Sequence, residues 1–437
     1  MLAEPEGVNM SIKFKNANVL NKDFEILKSQ DLIVENNRIK TIRPTDASDD
    51  SKYERVVDCN DNYLIPGIKN SHSHNAMVFL RSLSDDLPLH DWLKTYCFPN
   101  EAKLTDEDIY YFTLLGIMEN LTSGVTGSMD MYKSNYTVAE ASYKAGFRVN
   151  ICDSITQFDK VIAPEEFYNK INNYKGDNGN IVKYTFGLHA EYTNNEEIMK
   201  MMSELTHKYK AEFYVHNSET KFEFEECKKR WGGLTPTQVF EKFGLYDFGG
   251  GGYHCVHIND DDIEIFKKRN LTLVTCPGSN VKLASGIPRI KKFLDSGVRI
   301  AIGTDGPASN NAIDMFREMY LTTTLQKVTN DDPSALNPKE ILKMVMVNGA
   351  NCLGHKDADS LEEGKLADIV LIDVNKPNMQ PRNTFINNLV YACGKQNVKL
   401  TMVDGKILYE DGKFFINEDE TYIYKKCNEL LHNLLNR

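Results

Sequence analysis

No apolar run in this 437-residue chain approaches the ~20 residues that a bilayer-spanning helix needs. The opening "MLAEPEGVNMSIKF" has neither the charged nor the apolar region of a signal peptide, so residues 1–9 read as a frayed extension, with Met10 as an alternative start. A basic surplus is missing too. The formal charge of −11 argues against a nucleic-acid partner, whose phosphates need a basic face, and suits a small neutral or zwitterionic substrate. The nine cysteines include no C-x-x-C pair, which excludes a zinc ribbon and fits no disulfide framework; they read as reduced thiols of a cytoplasmic protein. Cys255 and Cys276 are read as small buried hydrophobes. Neither internal repeats nor low-complexity segments occur, so repeat architectures are set aside.

What is present is a change of texture along the chain. Short alternating strands open it ("SIKFKNANVL", "DFEILKSQDLIVENNRIKTI", "YERVVDC"), with "ENNRI" as a hairpin signal. The same texture returns in "GKLADIVLIDV" and "VKLTMVDGKILYEDGKFF", where "DG" stands twice between strand-like runs. Between them, eight short apolar runs each precede a helix-like segment: "YLIPGI", "GVTGSMDMY", "FRVNICDSI", "VKYTFGLHA", "AEFYVHNSE", "GYHCVHI", "LTLVTCPGSN" and "VRIAIGTDG". That order predicts an α/β protein, a (β/α)8 TIM-type barrel over residues 65–365. A small β-sandwich-like domain would come from both chain ends (10–64 and 366–416). A C-terminal helix over 417–437 would carry Ile423, Leu430, Leu431 and Leu434 as its apolar stripe.

A barrel of this kind holds its chemistry at the C-terminal ends of its strands. Of ten histidines, His72, His74, His189, His216 and His254 fall at or just beyond such ends, and Asp305 joins them after the eighth strand. Positions i and i+2 of a strand share a face, so His72 and His74 can reach one ion. His216 and Asp305 would complete three imidazoles and a carboxylate, a set that suits Zn2+ and is tolerated by Fe2+ or Mn2+. A divalent ion there would acidify bound water, and Glu219 of "HNSE" stands close enough to move its protons. His254 could hold or polarise the same water. Each fragment alone has a plainer explanation: a loop pair for 72/74, a solvated strand end for "HNSE", a Gly-rich turn for "GTDG". Together, in this order on one barrel, those explanations require several coincidences.

The segments "PGIKNSHSHNAMVFLRSLSDDLPLHDWL", "EAKLTDEDIYYFTLLGIMENLTSGVT", "HNSET", "GYHCVHINDDDI", "SNVKLASGIPRI" and "GTDGPASNNAIDMFREM" resemble the amidohydrolase superfamily. Within it they are most similar to its 5′-methylthioadenosine/S-adenosylhomocysteine deaminase branch, from about residue 12 to 415. The resemblance implies one metal ion on His72, His74, His216 and Asp305, with Glu219 and His254 as the acid–base pair. It gives Glu101 to the ribose hydroxyls, His189 to the purine or sugar, and Trp92 to the pocket wall. Without it, Glu101 would read as a surface helix-cap acid and Trp92 as a core aromatic.

Two-metal members of the superfamily carry a carboxylated lysine near the end of strand four. Here that end reads "GLHA", which favours a single metal. Arginines that hold an amino-acid tail in relatives are reduced to Arg148 in "FRVNICDSI", the one candidate for that role, which its sequence position puts at the strand's buried end. The activity implied is deamination of adenosine or a 5′-modified adenosine to the inosine derivative and ammonia. Alternatives are deamination or dechlorination of guanine, a pterin or a triazine, and a non-catalytic scaffold. The partners implied are a small nucleoside and further copies of the chain in a dimer or tetramer, without nucleic acid or membrane. The P-C-x-x-C signature of the zinc nucleobase deaminases is absent, since "TCPGSN" has one cysteine.

Overall fold

In a computed structural model β1 (Ser11–Leu20), whose sequence alternates apolar and polar residues, pairs antiparallel with β2 (Ile26–Glu35); β1 is buried along most of its length and β2 over Asp31–Val34. The structure describes residues 11–46, 50–83, 85–159, 162–172 and 181–437; the expected extension at 1–9, and Met10, lie outside these. The hairpin signal "ENNRI" turns at Asn36, in the left-handed region at φ 55°, into β3 (Arg38–Pro44). β4 (Arg55–Asp58) and β5 (Tyr63–Pro66) both pair with the same edge of the bulged β1.

The barrel follows as eight parallel strands: β6 (Ile68–Ser73), β7 (Val125–Met131), β8 (Arg148–Cys152), β9 (Val182–Ala190), β10 (Phe213–Asn217), β11 (Gly250–His254), β12 (Thr272–Thr275) and β13 (Arg299–Ile302). They lie side by side in sequence order, and a parallel bridge between Ser73 and Asp305 joins the last strand end to the first. β7, β8, β10, β11 and β12 are buried along their whole length, which is why they read as apolar runs rather than alternations.

β14 (Ile369–Ile372), β15 (Val398–Val403), β16 (Lys406–Glu410) and β17 (Lys413–Phe414) then return to the first sheet, giving one mixed sheet of nine strands from both chain ends. Its "DG" turns, Asp404–Gly405 and Asp411–Gly412, have positive φ at both positions, as two-residue hairpins require.

The run "YLIPGI" belongs to two sheets. Tyr63–Pro66 pairs with β1 and β14 of the outer sheet, and the barrel starts only at Ile68. The crossing falls at Gly67, where a Cβ would lie 2.1 Å from Thr126 Oγ1, so only glycine lets the chain pass this close to β7. The C-terminal helix Glu420–Leu435 buries Ile423, Cys427, Leu430 and Leu434 and packs on the barrel helix Asp106–Thr122, with Leu431 only partly buried. All nine cysteines are free, and Cys255 and Cys276 are fully buried. Among the described residues, no helix is long and apolar enough to cross a membrane.

Candidate metal centre and active-site pocket

The end of β6 carries His72, with His74 just beyond it. Across the barrel mouth stands His216 on β10, while Asp305, after β13, stands beside the end of β6 where the barrel closes. Gly303 permits the closure: a Cβ there would meet the His72 backbone nitrogen at 2.6 Å. The Asp305 N–H can therefore donate to the His72 carbonyl at 3.0 Å, with Asp305 itself held at φ 61°. One donor atom from each of His72, His74, His216 and Asp305 falls within 4.8 Å of the others. His74 Nε2 is 3.2 Å and His72 Nε2 3.5 Å from Asp305 Oδ1, and the Nε2 atoms of His72 and His216 are 3.2 Å apart.

The second ring nitrogens decide what this cluster wants. His216 Nδ1 donates to the His189 carbonyl at 2.7 Å, and His74 Nδ1 to the Met131 carbonyl. In its neutral form each ring therefore keeps a bare Nε2 lone pair for the space shared with Asp305. Three acceptors converging in a buried space repel one another unless a cation lies among them. The titration directions divide between the rings: burial lowers His74, but bonding to the Asp305 carboxylate more than reverses this and raises it, so a proton on His74 is what would stand in for a cation there. Burial pushes His72 down to about 3 and His216 well below its usual range, so both are neutral ligand-type imidazoles. Burial alone would raise Asp305, but hydrogen bonding to His72 and His74 more than reverses it and keeps the carboxylate ionised. Three imidazole nitrogens and one carboxylate fit a single divalent ion of zinc's type.

Beside the cluster lies a cavity of about 270 Å3. Glu219, at the turn after β10, is buried in its wall, and Ser285 Oγ donates to Glu219 Oε1 at 3.3 Å. Burial raises its carboxyl above the ordinary glutamate range. His254 Nε2 faces Glu219 Oε2 across 3.8 Å, and its Nδ1 donates to Asn280 Oδ1 at 2.8 Å, which fixes the ring. Trp92, Glu101 and His189 line the same cavity, so the structure brings together all the expected site residues except one. Glu101 is almost enclosed, its carboxylate 3.8 Å from Lys133 Nζ; this is a pocket acid and not a surface cap. Trp92 is buried in the core and also forms pocket wall.

The exception is Arg148. It begins β8, at the end of the barrel remote from the histidines, and lines no part of the pocket. Its guanidinium donates to both oxygens of Asp368 (Nε 3.1 Å, Nη2 2.9 Å) and to Asp404 at 3.0 Å, tying the barrel floor to the outer sheet. The expectation of a substrate-binding arginine is thereby corrected. Arg148→Met should leave the Asp368 carboxylate buried without its main partner and cost about 3–5 kcal/mol of stability. The check is a denaturant melt beside steady-state kinetics, with KM expected to stay put in the protein that remains folded.

Several contributors were not picked out from sequence. Asn280 orients His254, while Ser279 and Ser309 donate to Asp305 Oδ2 at 2.6 and 2.7 Å; Oδ1, which accepts the Gly306 N–H at 2.8 Å, is the oxygen that faces the imidazoles. All three stand in segments that carry the family resemblance, which was their one available signal.

A parallel barrel with three imidazoles and a carboxylate gathered at its C-terminal rim, next to a buried glutamate, is the arrangement of a metal-dependent hydrolase. The chain belongs to the amidohydrolase family, whose model matches residues 63–408. Among its relatives is the 5-methylthioadenosine/S-adenosylhomocysteine deaminase of Caldanaerobacter subterraneus subsp. tengcongensis, 36% identical over 98% of this chain and 99% of that one. The protein of the same name from Pyrococcus furiosus is 36% identical over 93% of this chain and 97% of the relative. A solved adenosine deaminase from Xanthomonas campestris with bound zinc superposes with a TM-score of 0.90 at 27% identity, covering 99% of this chain and all of that one.

Proposed function

We propose that the protein is a metal-dependent aminohydrolase that converts adenosine, or an adenosine modified at its 5′ position, to the corresponding inosine derivative and ammonia. The observation that carries this reading is the facing pair Glu219 and His254, 3.8 Å apart, at the inner wall of a pocket that also encloses the Glu101 carboxylate. The names of the relatives support the purine nucleoside, and the zinc in the Xanthomonas campestris structure supports zinc as the ion on His72, His74, His216 and Asp305. A divalent ion held there supplies Lewis acidity, making water a nucleophile near neutral pH.

The remaining work falls to side chains. Glu219 takes a proton from the attacking water and passes it to the ring nitrogen next to C6, as a C–O bond forms at C6. It then moves the second water proton to the exocyclic amine, the C–N bond breaks, and ammonia leaves. Its buried position, which raises its proton affinity, matches a group that must both take and return a proton. His254, clamped by Asn280, presents Nε2 to the same space as a second acceptor. Glu101 can accept two ribose hydroxyls at once. The nine free thiols support a reducing, cytoplasmic setting.

The test follows the ultraviolet change from adenine to hypoxanthine for adenosine, 5′-deoxyadenosine, 5′-methylthioadenosine, S-adenosylhomocysteine, adenine and guanine. Turnover of the nucleosides is the expected result; silence on all of them with metal bound would move the search to other heterocycles. In the same assay, Glu101→Gln should raise KM for nucleosides about 10- to 100-fold, the equivalent of a charge-assisted hydrogen bond or two. Adenine, which has no ribose, should show no such change.

A further inference from the structure

Glu223 lies one helical turn beyond Glu219 and touches neither the converging donors nor the pocket. It is nonetheless fully enclosed, and both of its oxygens are spent on the backbone next to the proton carrier. Oε1 accepts the Ser218 N–H at 2.9 Å and Oε2 accepts the Glu219 N–H at 2.8 Å. The peptide it holds is an unfavourable one. Ser218 sits in the left-handed region at φ 52°, where a residue with a Cβ is costly to keep. On the neighbouring strand end His254 and Cys255 are also left-handed, at φ 67° and 51°. The two kinks are tied together by backbone bonds: Cys255 N–H to the Asn217 carbonyl at 3.0 Å, and His257 N–H to the Ser218 carbonyl at 2.9 Å. Glu223 is the side chain that locks the β10 half of this paired kink.

From this geometry we infer that Glu223 is a positioning residue for the deamination: its bidentate grip on the Ser218 and Glu219 amides aims the Glu219 carboxylate into the pocket, opposite His254. The inference rests on the proposed role of Glu219. A helix-capping function alone does not explain it. Thr220 already caps the helix Lys221–Arg230, accepting the Glu223 N–H at 3.1 Å, whereas the Glu223 carboxylate reaches back past the cap to the two residues before it.

Glu223→Gln keeps the shape but turns an amide NH2 toward one of the two N–H donors, so one of the two bonds is lost. The expected result is a kcat lower by about 10- to 100-fold, the scale of a small misplacement of a reacting group, with KM and metal content per chain unchanged. Hydrogen exchange should show faster exchange at the Ser218 and Glu219 amides. Thr220→Ala is the matched control: it loosens the helix start without touching the grip, so it should lower the melting temperature yet keep kcat. The inference is overturned if Glu223→Gln retains wild-type kcat or amide protection, if metal is lost in step with activity, or if Thr220→Ala loses kcat equally. A wild type that deaminates no nucleoside would overturn the proposed function instead, and the exchange data would still judge the grip.

Discussion

Glu219→Gln is expected to lower kcat by about 10²- to 10⁴-fold, or roughly 3–5 kcal/mol of transition-state stabilisation, while the protein keeps its full complement of metal. The separation of the two effects follows from position. Glu219 is not among the four converging donors, and its contacts are with Ser285 and His254 rather than with His72, His74, His216 or Asp305. An amide of the same shape can still accept the Ser285 hydroxyl, so the pocket should hold its form. What it cannot do is take a proton from water and hand it on. Because the carboxylate is buried, which disfavours its charge, neutralising it should leave the melting temperature unchanged or slightly higher. Kinetics, metal analysis by atomic emission and a thermal melt on one preparation decide the matter. Metal lost together with activity would make Glu219 a ligand, and undiminished kcat would place the proton carrier elsewhere.

How far this site could be read from sequence depends on the range of each interaction. The strand-end histidines were legible because strand periodicity and barrel topology together force residues at the C-terminal ends into one place, however far apart they lie in the chain. The "DG" turns and the stripe on the last helix were legible because they are local. Arg148 was not. Its position at the start of a strand was readable, but its partners Asp368 and Asp404 lie more than two hundred residues away on the outer sheet, and no spacing rule links them. The partner of His254 was missed for a related reason: Asn280 comes from the short helix after the next strand, 26 residues on, and only the folded rim brings them to 2.8 Å. "YLIPGI" failed differently. A continuous apolar run shows that a segment is buried but not in which sheet, and Gly67 divides it between the two. Glu101 and Trp92 had two readings each, and the enclosure of both in one cavity with His189 selects the pocket.

Removing the metal should abolish turnover and also lower the melting temperature, and the second effect is the more informative one. Without a cation, His74 Nε2, His216 Nε2 and Asp305 Oδ1 face one another as buried acceptors, which the fold can tolerate only by taking up a proton or loosening the rim. Ion binding to the folded chain alone adds stability by mass action, about 4 kcal/mol when free metal exceeds its Kd a thousandfold. Dialysis against a chelator should therefore shift the melt downward, and zinc should restore both stability and rate. Asp305→Asn extends the argument, since it removes the negative charge from the four converging donors while keeping their outline; it should lose metal and turnover together, unlike Glu219→Gln. Ser309→Ala lies between these extremes. It takes away one of the two hydroxyls that hold Asp305 Oδ2, so metal affinity measured by chelator competition should fall about 10- to 100-fold, with kcat recovered at saturating zinc. If Ser309→Ala bound zinc as tightly as the wild type, Ser279 alone would suffice to orient the carboxylate; if kcat stayed low at saturating zinc, the hydroxyl would be serving the substrate and not the ligand.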